Sequence, residues 1–129
     1  FDGGADNPYL PRHHTEDAVV YTGTHDNDTS LSWFQGLTEA AQQQVLAILN
    51  TNAPMPRALV QAALHSVARL AMIPMQDVLE LGAGQRMNTP GTTQGNWKWR
   101  FRWEQLSATK VDRWKEALAA SGRAASATD

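Results

Sequence analysis

Residues 18–29 decide how this chain is read: Ala18-Val19-Val20-Tyr21-Thr22 runs directly into Gly23-Thr24-His25-Asp26-Asn27-Asp28-Thr29. The first five are a compact β-branched and aromatic run in which polar and apolar residues do not alternate. That is the pattern of a strand buried on both faces in a parallel sheet. Gly23 ends the run and a polar cluster follows at once. In parallel α/β architectures reactive groups sit on loops beyond the carboxyl ends of the strands, so His25 and Asp26 stand where a site belongs. The same residue types also build turns and cap helices, and Asp28 or Thr29 serves equally well as the cap of the helix that follows. On these residues alone both readings stay open.

Working outward, Leu31, Trp33 and Phe34 begin a helical apolar face that Gly36 interrupts. Thr38 is a suitable N-cap for a helix to Leu49 with Ala41, Val45, Leu46 and Leu49 on one face. Pro56 fits the first turn of a second helix, on which Leu59, Val60, Ala63, Leu64, Val67 and Leu70 fall at helical spacing. Leu70-Ala71-Met72-Ile73-Pro74 reads as a second buried strand ending at the proline, followed by one helical turn over Asp77–Leu81 and a Gly-rich loop. Ser107 or Thr109 caps a final helix carrying Val111, Trp114 and Leu118, which Gly122 ends. Residues 1–17 read as irregular and residues 123–129 as a frayed tail. The order strand, helix, helix, strand, loop, helix implies a parallel sheet covered on both faces. Two strands do not complete such a sheet, so either further chain lies upstream or copies associate to hide the open edges.

The chain has 129 residues, 42% of them hydrophobic and 19% charged, enough apolar material for a core. Its formal charge of −2 argues against nucleic-acid binding by general electrostatics. No apolar stretch approaches the roughly 18 residues of a membrane span, so neither nucleic acid nor membrane is an expected partner. With no cysteine there are no disulfides, thiolate nucleophiles or Cys-based metal sites. The start at Phe1-Asp2-Gly3-Gly4 reads as an internal cut in a longer chain.

The remaining chemistry is sorted mostly by what is missing. His13-His14 beside Glu16 and Asp17 match no metal-ligand spacing, and no metal is expected. No Gly-x-Ser-x-Gly elbow occurs, and Gly82-x-Gly84 lacks the third glycine or lysine of a phosphate loop. Arg86 reads best as the structural partner of Asp77 or Glu80. Asn88 is left open. In Trp97-Lys98-Trp99-Arg100-Phe101-Arg102-Trp103, a strand would set all four aromatics on one side and the cations on the other. That face could pack as the edge of a core, stack on sugar rings, or stack on bases.

Taken together, Asn7-Pro8-Tyr9-Leu10-Pro11, Val19 to Thr29, Pro74 to Gly82, Arg86-Met87-Asn88-Thr89-Pro90-Gly91 and Gly95 to Arg100 resemble, in order, the C-terminal part of the 4-α-glucanotransferases, the amylomaltase or disproportionating-enzyme family. The resemblance runs from residue 7 to residue 103. It implies an α/β fold: residues 1–122 would be the last two β/α units of a (β/α)₈ barrel, and residues 123–129 a flexible tail. It implies a cytoplasmic enzyme, with no cofactor, that moves α-1,4-glucan segments to a glucan or glucose acceptor with retention. Such chemistry uses two carboxylates about 5 Å apart, and the resemblance places both upstream of these residues. Asp26 matches the family's third carboxylate, with His25 and Asn88 as its companions on the donor sugar. A barrel needs roughly 200 residues or more, so this segment alone is expected to be inactive, its missing partner being the upstream part of the same chain. The alternative is a non-catalytic carbohydrate-binding module that uses Trp97, Trp99 and Trp103.

Overall fold

The computed structural model describes residues 15–124. The expectations for Asn7–Pro11 and for the His13-His14 pair fall outside the described residues, as do residues 125–129. Among the described residues the elements are β1 (Val19–Tyr21), α1 (Ser30–Gln35), α2 (Glu39–Leu49), α3 (Arg57–Leu64), β2 (Leu70–Met72), α4 (Met75–Val78) and α5 (Ala108–Ser121), with a 3-10 turn at Trp103–Gln105. The two strands pair in parallel, Val19 opposite Leu70 and Tyr21 opposite Met72. A mixed helical chain with a small parallel sheet is thus what the order of elements led one to expect.

Local chemistry sets most boundaries. Thr29, Thr38 and Ser107 each accept a backbone N–H of the first turn through their side-chain oxygen and so cap α1, α2 and α5. Each such cap contributes about 1 kcal/mol. Asn50 and Gly122 end α2 and α5 in the left-handed conformation, at φ 48° and 76°. Helix α3 is shorter than the apolar spacing after Pro56 suggests. His65 is its C-cap, Ser66 turns the chain by accepting the Ala68 N–H, and Leu70 lies in β2 while Val67 is exposed. The one-turn helix begins at Met75 rather than Asp77 because Pro74 supplies its entry.

Among the described residues the buried apolar side chains include Val45, Pro56, Ala58, Val60, Ala63, Leu64, Ala68 and Leu79. The core therefore lies among the helices, with α3 packed against α2, α4 and α5. The strands differ from the sequence reading: Val19 is 42% exposed, Tyr21 53%, Leu70 55% and Met72 52%. These four residues are paired across the ladder, so one whole face of the sheet is open.

Charged side chains tie the layers together. Glu80, itself in the left-handed region, pairs with Arg57 Nε at 3.0 Å and Arg113 Nη2 at 2.9 Å, which links α3 and α5 to the end of α4. Lys110 Nζ donates to Leu79 O at 2.9 Å. Arg123 sits within the stretch read as a tail, yet its guanidinium donates to the carbonyls of Leu64, Ser66, Ala68 and Arg69. It closes the C-terminal end of α3 and the approach to β2.

Among the described residues the buried polar side chains are Thr29, Ser30 and Asp77, and the last two are bonded to each other. Asp77 is 3% exposed. Its Oδ2 accepts from Thr22 Oγ1 and from Ser30 Oγ, both at 2.6 Å, and its Oδ1 accepts from Ser30 N at 3.0 Å. The end of β1, the start of α1 and the turn after β2 are thereby fastened at one point. Asp77→Ala takes the acceptor from all three donors and leaves Ser30 N, which is buried, without it. It is expected to lower unfolding stability by about 3 kcal/mol, at 1–3 kcal/mol for each buried group left without its partner. A urea titration that finds the variant as stable as the parent would contradict the role given to this carboxylate.

Candidate functional site

The loop that follows β1 is built by its own side chains. Asn27 Oδ1 accepts from Thr24 N at 2.8 Å and from Thr24 Oγ1 at 3.0 Å, and Asn27 N donates to Thr24 O at 3.1 Å. Asp28 accepts from Thr29 N at 2.8 Å and from Ser32 Oγ at 2.7 Å, so it supports the start of α1 beside the Thr29 cap. Asn27 and Asp28 are thus turn-forming residues. His25 and Asp26 stand at the apex with side chains 54% and 53% exposed.

A second loop, after α4, comes to meet them. Asn88 Nδ2 donates to Asp26 Oδ1 at 2.7 Å. Arg86 donates through Nη2 to Asp26 O at 3.0 Å and through Nε to Asn88 O at 3.2 Å. His25 Nε2 lies 3.4 Å from Asp26 Oδ2. The three residues singled out in the sequence, His25, Asp26 and Asn88, are therefore in one cluster, although Asn88 is 62 residues from Asp26. The sequence expectation for Arg86 does not hold. Asp77 is occupied by Thr22 and Ser30, and Glu80 by Arg57 and Arg113, while Arg86 bridges the two site loops.

Beside the cluster, at the carboxyl ends of both strands, opens a cleft of about 500 Å³ bordered by Tyr21, His25, Met72, Gln85, Arg86 and Trp97. Trp97 is 63% exposed and its ring lies 5.0 Å from that of His25, centroid to centroid. The rest of the aromatic run does not form the strand that its alternation suggests. Trp99 stacks on Phe101 at 5.8 Å and donates its Nε1 to Gln85 Oε1 at 2.8 Å, while Phe101 meets Trp103 edge-on at 5.2 Å. Among the described residues the ring contact of Trp97 is with His25, apart from the Trp99, Phe101 and Trp103 group, so the tryptophans do not make one platform.

This geometry suits a polyhydroxyl ligand. A carboxylate has about four lone-pair sites; Asp26 uses one on Asn88, faces His25 with another, and keeps the rest toward solvent. Amide, imidazole and carboxylate together donate to and accept from hydroxyls on one edge of a ring. The neighbouring carboxylates Asp28 and Asp77 are engaged structurally. Among the described residues no group of three or more His, Asp or Glu side chains could hold a metal ion, and no helix is long and apolar enough to cross a membrane. Two contributors were named in the sequence but not placed by it. Asp77 gave only the signal of an acid just past a strand, and the placing of Trp97 beside His25 left no local trace.

Comparison with known proteins agrees with the resemblance drawn from the motifs. A family model described as 4-alpha-glucanotransferase matches residues 1–109. A chloroplastic/amyloplastic 4-alpha-glucanotransferase of Oryza sativa subsp. japonica is 53% identical over 103 residues, covering 78% of this chain and 17% of the relative. The 4-alpha-glucanotransferase of Thermus thermophilus is 45% identical over 116 residues, covering 83% of this chain and 23% of the relative. In three dimensions the chain is similar to an amylomaltase from Streptococcus agalactiae in complex with acarbose, with TM-score 0.90 and 30% identity over 96% of this chain and 26% of that one. The chain thus spans only about a fifth of the length of the curated relatives it matches, from 17% to 23%. Plastid proteins stand among those relatives, so similarity does not bring the expected cytoplasmic location with it.

The bridge made by Arg86 is directly testable. In Arg86→Ala the amides of residues 26–28 are expected to exchange about tenfold faster while global stability changes by less than about 1 kcal/mol. Unchanged exchange in that loop would show that Arg86 does not hold it.

Proposed function

Because the chain belongs to the 4-alpha-glucanotransferase family, we propose that it is the C-terminal part of an enzyme that transfers α-1,4-glucan segments to the 4-hydroxyl of a glucan or glucose acceptor. Residues 1–122 supply the last two strand–helix units of a (β/α)₈ barrel, and the open face and edges of the β1–β2 sheet are where the upstream strands pack. The parallel pairing of β1 with β2 and the position of the site at their carboxyl ends support that reading.

The reaction proceeds with retention. An upstream carboxylate attacks the anomeric carbon of the donor, forming a glycosyl–enzyme ester as the glycosidic bond breaks, and an upstream carboxylic acid protonates the departing oxygen. The acceptor hydroxyl then attacks the anomeric carbon, breaking its bond to the first carboxylate, and gives its proton to the second carboxylate, restoring both groups. Asp26 takes no part in bond making. It binds hydroxyls of the sugar whose anomeric carbon reacts and holds that ring in a distorted shape, and its charge stabilises the positive charge that develops. His25 and Asn88 hold neighbouring hydroxyls and the orientation of Asp26. The observation that carries this assignment is the 2.7 Å bond from Asn88 Nδ2 to Asp26 Oδ1, which joins two distant motifs at an exposed carboxylate. The acarbose held by the amylomaltase of Streptococcus agalactiae makes an α-glucan-like ligand the natural probe.

Asp26→Asn in the full-length parent keeps the shape and removes the charge. Disproportionation of maltotriose, followed by glucose release, is expected to fall by about 10²–10³-fold, the usual loss when a group aimed at developing charge is removed. Near-normal turnover in a folded variant would remove the role given to Asp26. The isolated 129 residues are expected to show no transfer at all.

A further inference from the structure

Trp97 is placed against the ordinary rules of both backbone and burial. Its φ is 60°, in the left-handed region, where a bulky side chain is an outlier. Holding such a residue there is costly, and the cost persists only where the surroundings impose it. Here they do. Trp97 N donates to Met87 O at 2.7 Å, and the loop before it is closed by Asn96, whose Oδ1 accepts Thr89 N at 2.9 Å and whose Nδ2 donates to Thr92 O at 3.2 Å. Yet the indole so positioned contributes little to the core, being 63% exposed. Its aromatic neighbour is His25, ring to ring at 5.0 Å and 37°, and His25 is the side chain beside Asp26. The strained backbone therefore presents a flat apolar face at the mouth of the cleft, next to a cluster that grips hydroxyls.

We propose that Trp97 is a stacking platform for a glucosyl ring of the donor glucan, the ring adjoining the one held by Asp26. The inference rests on the glucanotransferase reading and extends it by one binding position. A pyranose ring has hydroxyls around its edge and C–H bonds on its faces. Its edge suits Asp26, Asn88 and His25, while its face suits the negative π surface of an indole. In an α-1,4-linked chain successive rings offer both, so one ring is held by its edge as the next lies on a face. Trp97 thereby sets how firmly the donor is seated and leaves the chemical step to other groups.

The test is made in the full-length parent with maltoheptaose as donor, comparing Trp97→Ala, Trp97→Leu and Trp97→Phe. Loss of one aromatic contact is expected to raise KM about tenfold in Trp97→Ala, with kcat within about twofold of the parent. Trp97→Leu keeps bulk without a π face and is expected to show the same rise, whereas Trp97→Phe recovers most of the parent KM. If Trp97→Ala does not fold, the Leu and Phe pair decides alone. A KM equal to the parent's in Trp97→Leu, or a fall in kcat that Phe does not rescue, overturns the proposal and makes Trp97 a packing residue. A parent with no transfer activity overturns the glucanotransferase reading itself; a parent that transfers normally, with KM unmoved in the variants, overturns this inference alone.

Discussion

The carboxylate of Asp77 is the point on which the described fold turns. The β1–β2 ladder is only three residues long on each side, and a two-stranded sheet of that size has marginal stability of its own. Its face is open, so burial does little to hold it. What fixes the end of β1 relative to the turn after β2 is a buried anion satisfied by Thr22 and Ser30. A charge-assisted hydrogen bond of this kind is about twice as strong as a neutral one. A buried carboxylate without such donors would instead be costly. Sequence, fold and site meet here: a threonine at a strand end, a serine opening a helix and an acid one turn past a second strand.

The proposed sugar-binding role rests on the contrast between that buried carboxylate and the exposed one of Asp26. Asp77 is 3% exposed, and three hydrogen bonds from Thr22 and Ser30 engage both of its oxygens. Asp26 sits at an apex with its side chain 53% exposed and is steadied through its own carbonyl by Arg86, which leaves the carboxylate oxygens for other work. Two aspartates, one in the loop after β1 and one in α4, thus have different fates, decided by which donors reach them. The tie from Arg86 to the backbone also explains why an arginine beside an acid need not neutralise it. Geometry sends the guanidinium to carbonyls, where it orients a loop without pairing with a side chain.

What could be read in the sequence was what local chemistry decides. Thr38, Ser107 and Gly122 end or begin helices for reasons contained within a few residues, and each does so in the structure. His25, Asp26 and Asn88 were found because strand ends and motif order point to them, and the fold brings them into one cluster. The failures have a common cause in distance and context. Apolar spacing alone ran α3 on through Val67, because it cannot see Ser66 turning the chain, whereas Leu70, which fits the helix and strand patterns alike, begins β2. The pairing of Arg86 was assigned to nearby acids that donors from elsewhere had already taken. Alternation in residues 97–103 imitates a strand, yet Trp97 adopts a left-handed φ imposed by Met87 and the Asn96 turn, which no periodicity reveals. The apolar strands read as buried on both faces have one face open within residues 15–124, since burial of a sheet depends on what packs against it.

The central claim is that an exposed aspartate, held by Asn88 and Arg86 on a rim fastened by Asp77, is a sugar-binding group. A crystal structure of the full-length parent soaked with acarbose tests it most directly. The account predicts ligand hydroxyls within hydrogen-bond distance of the Asp26 carboxylate and of His25 or Asn88, at the carboxyl ends of β1 and β2. Acarbose bound elsewhere, with Asp26 facing bulk water or sealed beneath upstream chain, would contradict it.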